Sequence, residues 1–215
     1  MTEGSSAPIA AFRRSVRSLL AGLAQKDPSS DGRPERMART VAAIATARDL
    51  DRATVQGLML AAHLHDVGKV AIPEPILLNR GTLTPDEYEV VKRHCLSGSR
   101  LLEASGLREV ARWIRSHHER WDGTGYPDGL AGENIPLEAR ILGIADALDA
   151  MTCVRLYREP ISGSAAADEF ERCAGSQFDP ELASWVAEAL RSGALPAGAS
   201  PAPPAPLVGA GLSAA

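Results

Sequence analysis

Nowhere in the 215 residues does an apolar run approach the roughly 18 that a membrane-spanning helix needs. The opening MTEGSSAPIAAFRRSVRSLLAGL lacks a basic start followed by an apolar stretch and a cleavage site, so it is not a secretory signal. A basic surplus is missing too. With 23 Lys and Arg against 27 Asp and Glu, the net charge is -4, which excludes a general binder of DNA or RNA polymers. A small phosphate ligand held by a few local cations stays compatible. Cysteine is scarce: Cys95, Cys153 and Cys173 form no paired framework and no C-x-x-C, which points to a reducing cytoplasm. No alternating strand pattern of useful length occurs, and no repeat. Hydrophobic residues at 45% and charged residues at 23% exclude wholesale disorder and fit one domain with tails.

What is present reads as helix from about Pro8 to Arg191. Apolar residues recur at i, i+3, i+4 and i+7 in Val55, Leu58, Met59 and Ala62, and in Leu107, Val110, Ala111 and Ile114. Val91, Cys95 and Gly98, leading to Leu102, form a third stripe. Prolines 28, 34, 73 and 75, Gly81 with Pro85, and the stretch Gly123 to Pro136 punctuate these runs. Thr84-Pro85-Asp86-Glu87 is a helix start, with a capping hydroxyl, proline in the first turn and acids near the positive end. The expectation is an all-α fold of six to eight helices. Residues 1–30 form an N-terminal helix and lead-in, 31–191 the core, and 192–215 a tail. That tail carries no charge, holds five prolines and is mostly Ala, Pro and Gly, so it is expected to be disordered and dispensable.

Polar residues continue these inward stripes. One turn beyond the Val55 stripe lie His65 and Asp66; the same offsets after Leu107 give His117 and His118. His94 sits three residues after Val91. Burying such groups without partners costs several kcal/mol each. A shared metal site, with the later acids Asp146 and Asp149 nearby, satisfies all of them. Imidazole and carboxylate without thiolate suit Fe, Mn or Zn. An Asp beside a His can bridge two ions, and a pair of ions clamps a phosphodiester. Lys69 stands where a cation neutralises phosphate. His63 points the other way on a helix and is left out. Trp113 and Trp121 read as packing residues, and Glu119 and Asp122 as groups that cap a loop.

HDVGK (His65 to Lys69) followed by HHERWDGTGYPDGLAGENIP (His117 to Pro136) strongly resembles the HD-GYP branch of the HD phosphohydrolases. IPEPILL, LTPDEYEVVKRH, ARILGIADALDAMT and the FDP of Phe178 to Pro180 extend the match over roughly residues 36 to 190. The resemblance implies a helical domain with a central metal centre that hydrolyses cyclic di-GMP to the linear dinucleotide or GMP. It implies iron or manganese, one or two ions, held by His65, Asp66, His94, His117, His118 and Asp146, with Asp66 bridging. Lys69 would face the scissile phosphate, and Gly125, Tyr126 and Pro127 would flank the ligand. Arg155 and Arg158 match positions that contact the nucleotide. Asp149 reads as substrate-facing or as a support for the ligands.

The sequence also departs from the family. Arg33 stands where a further His ligand is usual, Ser29 where members with a third metal carry a carboxylate, and Asn79 where Lys is common. A three-metal site is therefore not expected. An Arg cannot deprotonate to bind a metal. Held about 5 Å from a dication, it would be repelled by about 7 kcal/mol at an effective dielectric of about 20. Three arrangements are open: Arg33 swings outward and water takes its place, it replaces one metal's charge by pairing with Asp66 or Asp146, or the centre fills only in part. Two function classes follow, a cyclic di-GMP phosphodiesterase and a non-enzymatic module that binds the dinucleotide or a signalling partner. Hydrolysis of another phosphoester is the third reading. With about thirty residues ahead of the core, regulation is expected from a separate protein or from ligand supply.

Overall fold

The computed structural model describes residues 32–79, 81–153 and 159–197. Arg155 and Arg158, Ser29, the first 31 residues and the tail beyond 197 lie outside them. Eight α-helices of at least eight residues and one single-turn helix fill the described residues, with no strand among them. Among the described residues one isolated bridge, Ala174 to Phe178, closes a loop. The all-α expectation holds. Among the described residues, no helix is long and apolar enough to cross a membrane.

Helix α1 (Arg33–Ala47) buries Met37, Ala38, Val41, Ile44 and Ala45, one stripe at helical spacing. A short turn leads to α2 (Arg52–Leu64), whose first turn is capped by Asp51 accepting from the amides of Ala53 and Thr54 at 2.8 and 3.1 Å. A 3-10 turn (Val67–Ala71) and the single-turn α3 (Glu74–Leu77) follow. Helix α4 (Pro85–Lys92) opens with a full capping box: Thr84 Oγ accepts from the Glu87 amide, and Glu87 accepts from the Thr84 amide at 2.8 Å. Helices α5 (His94–Ala104) and α6 (Arg108–Arg115) pack against each other. Helix α7 (Leu137–Thr152) is the central one, with nine of its residues buried. Helices α8 (Gly163–Arg172) and α9 (Pro180–Ser192) form a hairpin, α9 being capped by Asp179. That aspartate also takes an ion pair from Arg140 of α7 at 2.5 Å, which ties the hairpin to the central helix.

Two expectations change. The stripe through Val91 and Cys95 reads as one helix, but the backbone breaks at Arg93, between α4 and α5. The break lies where the 3-10 turn meets α5: a Cβ on Gly68 would lie 1.9 Å from the His94 carbonyl oxygen. The second change concerns the tail. Gly193 ends α9 in the left-handed region, and the Leu195 amide returns to the Ala189 carbonyl at 3.0 Å. Leu195 is buried within the main core. The packed body therefore runs past Arg191, because one leucine in an otherwise small-residue segment closes the end of α9. Ending the chain at Arg191 is expected to cost about 2 kcal/mol, the scale of one buried leucine. For a domain of this size the midpoint drops by roughly 4–8 °C. Ending it at Ala197 keeps that contact, and thermal melts of the two truncations make the comparison.

Candidate metal centre

Three imidazoles follow one rule. His65 follows the last residue of α2, His117 lies just past α6, and His94 begins α5 after the end of α4. Each Nδ1 meets the carbonyl three residues earlier: His65 to Ala62 at 2.8 Å, His94 to Val91 at 2.8 Å and His117 to Ile114 at 2.6 Å. A carbonyl only accepts, so each Nδ1 carries the proton. The bond satisfies a carbonyl that a helix end leaves without a partner. It also turns an unprotonated Nε2 toward the centre, the tautomer a metal needs. Nε2 of His65 and of His117 is buried and has no hydrogen-bond partner. Such orphaned acceptors are costly unless something binds them.

The carboxylates lie against those nitrogens. One Asp66 oxygen is 3.2 Å from His65 Nε2; the other is 3.8 Å from His94 Nε2. An Asp146 oxygen is 3.9 Å from His65 Nε2. The rings continue from His94 to His117 and His118, with centroids 5.5 and 5.2 Å away, and His117 lies 4.0 Å from His118. All six residues expected to form the site are thus neighbours. His63 turns away and bonds to the Met59 carbonyl.

The electrostatics keep the donors available. Burial, aided by neighbouring imidazoles, pushes His94 and His118 down to about 4 and His117 well below the usual range. Burial alone would raise Asp66, but the Lys69 and Arg33 cations beside it help hold the carboxyl well below its ordinary value. At Asp146 the Arg33 guanidinium reverses the effect of burial in the same direction. The imidazoles have a consequence for the metal-free protein. Their folded values lie below the unfolded 6.5, so on acidification the unfolded chain takes up protons first. Stability should fall from about pH 6.5 to about 4, by about 1.4 kcal/mol per pH unit for each such imidazole. A melting temperature that stays level across that window contradicts this account of the site.

Arg33 resolves one of the three open arrangements. Its guanidinium bonds Asp146, with Asp149 at 3.5 Å and Asp66 at 3.9 Å. Burial lowers its proton affinity, and the three carboxylates more than restore it. Of the two roles open to Asp149, its contacts favour support of its neighbours. It is buried between Arg33 and Arg36, the latter bonding it at 2.7 Å, and the Cys153 thiol donates to it at 3.3 Å. It anchors cations rather than facing a substrate. The Lys69 ammonium rests on Asp66 at 2.7 Å.

The loop after the paired histidines is tightly specified. A Cβ on Gly125 would fall 2.3 Å from the Arg120 nitrogen and 2.6 Å from Glu119 Cα, so only glycine passes there. Tyr126 stacks on His118 at 5.0 Å, and Tyr88 meets its edge. Pro127 follows through a cis peptide bond. Glu119 accepts from the amides of Asp128 and Leu130 at 2.7 and 3.1 Å, and Asp122 from that of Thr124 at 3.0 Å, the loop-capping roles expected of both. Trp113 is buried in the core, whereas Trp121 carries the Arg140 guanidinium on its ring at 5.6 Å. Trp121 and Arg140 line a cleft of about 320 Å³ together with His117, His118 and Asp146.

Cys95 was not among the expected site residues. Its sulfur lies 3.5 Å from His94 Nε2, and the donor atoms of His94, Cys95, His117 and His118 all fall within 4.8 Å of one another. Burial and the surrounding carboxylates push the thiol up, which favours the protonated form over a thiolate ligand. The sequence signal was available: Cys95 shares the inward stripe beside His94.

A family model described as HD domain matches residues 18–182. A cyclic di-GMP phosphodiesterase response regulator of Xanthomonas campestris is 41% identical over 171 residues, covering 78% of this chain and 45% of that protein. A probable cyclic di-GMP phosphodiesterase of Vibrio cholerae is 47% identical over 129 residues, covering 56% of this chain and 29% of that protein. The chain thus spans less than half the length of these relatives. Among solved structures, a cyclic GMP-AMP-specific phosphodiesterase of V. cholerae superposes with a TM-score of 0.63 at 22% identity, over 82% of this chain and 48% of that one. With the paired histidines and the Gly125-Tyr126-Pro127 loop in place, the chain belongs to the HD domain family and, within it, to the HD-GYP branch.

Proposed function

We propose that the protein is a metal-dependent phosphodiesterase that hydrolyses cyclic di-GMP to the linear dinucleotide or to GMP. One observation carries the reading: the buried, unpartnered Nε2 of His65 lies beside Asp66 and Asp146, and His117, whose Nε2 is likewise unpartnered, lines an open cleft together with His118 and Asp146. His65, Asp66, His94, His117, His118 and Asp146 are the residues from which the ligands of one or two ions are drawn, and their nitrogen and oxygen donors suit iron or manganese. When bound, such an ion polarises a phosphodiester and makes water acidic enough to attack it. The chain supplies the rest. Asp66 joins the two groups of histidines, Lys69 offers positive charge beside it, and Tyr126 holds His118 from the loop side. Gly125 and Pro127 set the course of that loop along the ligand. Arg155 and Arg158 are assigned to the nucleotide by the family resemblance. Similarity to relatives named as cyclic di-GMP phosphodiesterases favours hydrolysis over a non-catalytic binding module. The three unpaired, buried thiols suit the cytoplasm, where they stay reduced.

The test is incubation of the manganese- or iron-loaded protein with cyclic di-GMP, separating products by chromatography. Linear dinucleotide or GMP should form, formation should stop with a chelator, and 3′3′-cyclic GMP-AMP should be the poorer substrate. Arg155→Ala should weaken cyclic di-GMP binding by at least ~1.5 kcal/mol in calorimetry, the scale of a charge-assisted hydrogen bond. Metal-loaded protein that leaves the dinucleotide intact overturns the enzymatic reading.

A further inference from the structure

We propose that Arg33 takes the position of one metal ion, so that the centre holds a single divalent ion at its His94–His117–His118 end. The inference rests on the metal-centre reading above and concerns how that centre is divided.

The contacts give the site two ends that share Asp66, with the His117 ring between them, 5.7 Å from that of His65 and 5.5 Å from that of His94. At one end stand Asp146, His65 and Asp149, and Arg33 lies among them. Its Nη2 bonds Asp146, its Nε is 3.5 Å from Asp149 and its Nη1 is 3.9 Å from Asp66. Arg33 begins α1, and its side chain is only 14% exposed, so the guanidinium lies inside the site rather than swung into solvent. Arg36, one turn later on the same helix, takes the other oxygen of Asp149 and fixes the carboxylate that faces Arg33. Asp66, Asp146 and Asp149 are matched there by Arg33, Arg36 and Lys69, three charges against three. An ion entering this end would meet a guanidinium that cannot lose its proton, bonded to the very carboxylate it needs.

The other end has the opposite character. The donor atoms of His94, His117 and His118 lie within 4.8 Å of one another, the His117 Nε2 has no partner, and the nearest Asp66 oxygen is 3.8 Å from His94 Nε2. Three neutral imidazoles and one carboxylate form a complete donor set for one divalent ion. The guanidinium thus holds a fixed positive charge at one end, and an exchangeable ion occupies the other.

The experiment counts ions. The full chain is loaded with Mn²⁺, desalted and analysed for metal per folded chain, and its paramagnetic resonance spectrum is recorded. The unaltered protein should hold one ion and give the resolved signal of an isolated Mn²⁺. Arg33→His should hold two and give the broadened signal of a coupled pair. A second pair of variants does not depend on that substitution folding. His118→Ala should lose the ion, whereas Asp146→Asn should keep it, because Asp146 serves Arg33. Two coupled ions in the unaltered protein overturn the inference and leave the metal centre standing. So does an ion lost from Asp146→Asn but kept by His118→Ala. No bound metal in either the unaltered protein or Arg33→His overturns both the inference and the metal-centre reading.

Discussion

Asp66→Asn is expected to lower the affinity for manganese by more than about 100-fold and to remove cyclic di-GMP hydrolysis with it. That factor is the upper range seen when merely an outer hydrogen-bond partner of a ligand is removed. Asp66 is more central than such a partner: one of its oxygens faces His65 and the other faces His94, so a single carboxylate connects the two ends of the centre. An asparagine keeps the shape but loses the charge and one acceptor. Its amide nitrogen must then face either the Lys69 ammonium, 2.7 Å from one oxygen, or the His94 nitrogen near the other. The metal-free protein should lose stability as well, by about 1.5–3 kcal/mol, the scale of a hydrogen bond to a charged group. The two effects differ in size, so metal titration beside a melt of the metal-free variant separates them. Wild-type metal affinity in Asp66→Asn would remove Asp66 from the centre.

Much of this arrangement was legible before any coordinates. The Thr84 to Glu87 signature specifies a capped helix start through its own local chemistry, and the capping box is present. The inward stripes carry on to His65, His94 and His117 because helical spacing continues through the last turn of a helix, even though these residues stand at helix ends rather than inside. What was not legible depends on partners far apart in the chain. Arg33 is held by Asp146 and Asp149, more than a hundred residues later, so nothing in its own neighbourhood decides between swinging out and pairing in. Asp149, one turn from Asp146, was open to two readings, substrate-facing or supporting the ligands, and the contact that favours the second comes from Arg36 on another helix. The break at Arg93 has no breaker residue, since a tertiary contact accompanies it. Leu195 was hidden by composition: a single leucine among Ala, Pro and Gly gives no period to read.

That tertiary contact predicts the largest effect on folding. Gly68→Ala is expected to destabilise the protein by about 3 kcal/mol or more, at the upper end of the cost of overpacking a core. The midpoint should fall by roughly 6–12 °C in a domain of this size. The added Cβ would lie 1.9 Å from the His94 carbonyl oxygen and 2.5 Å from the Gly98 nitrogen. Both neighbours are backbone atoms inside α5, so no side chain can turn aside to make room, and the 3-10 turn and the helix must separate. The separation acts on the site directly. The turn begins just after Asp66 and carries Lys69, while α5 begins with His94. Moving one from the other lengthens the gap between the Asp66 oxygen and His94 Nε2, so metal affinity should fall together with stability. Gly81→Ala is the control, because its Cβ would meet only the Asn79 side chain at 3.3 Å in an exposed turn. It should stay within about 0.5 kcal/mol of the unaltered protein. A Gly68→Ala protein that melts and binds metal normally would mean that the HDVGK glycine is there for the turn alone. A loss of both confirms that the absent side chain is what lets the aspartate-bearing turn lie directly against the histidine-bearing helix.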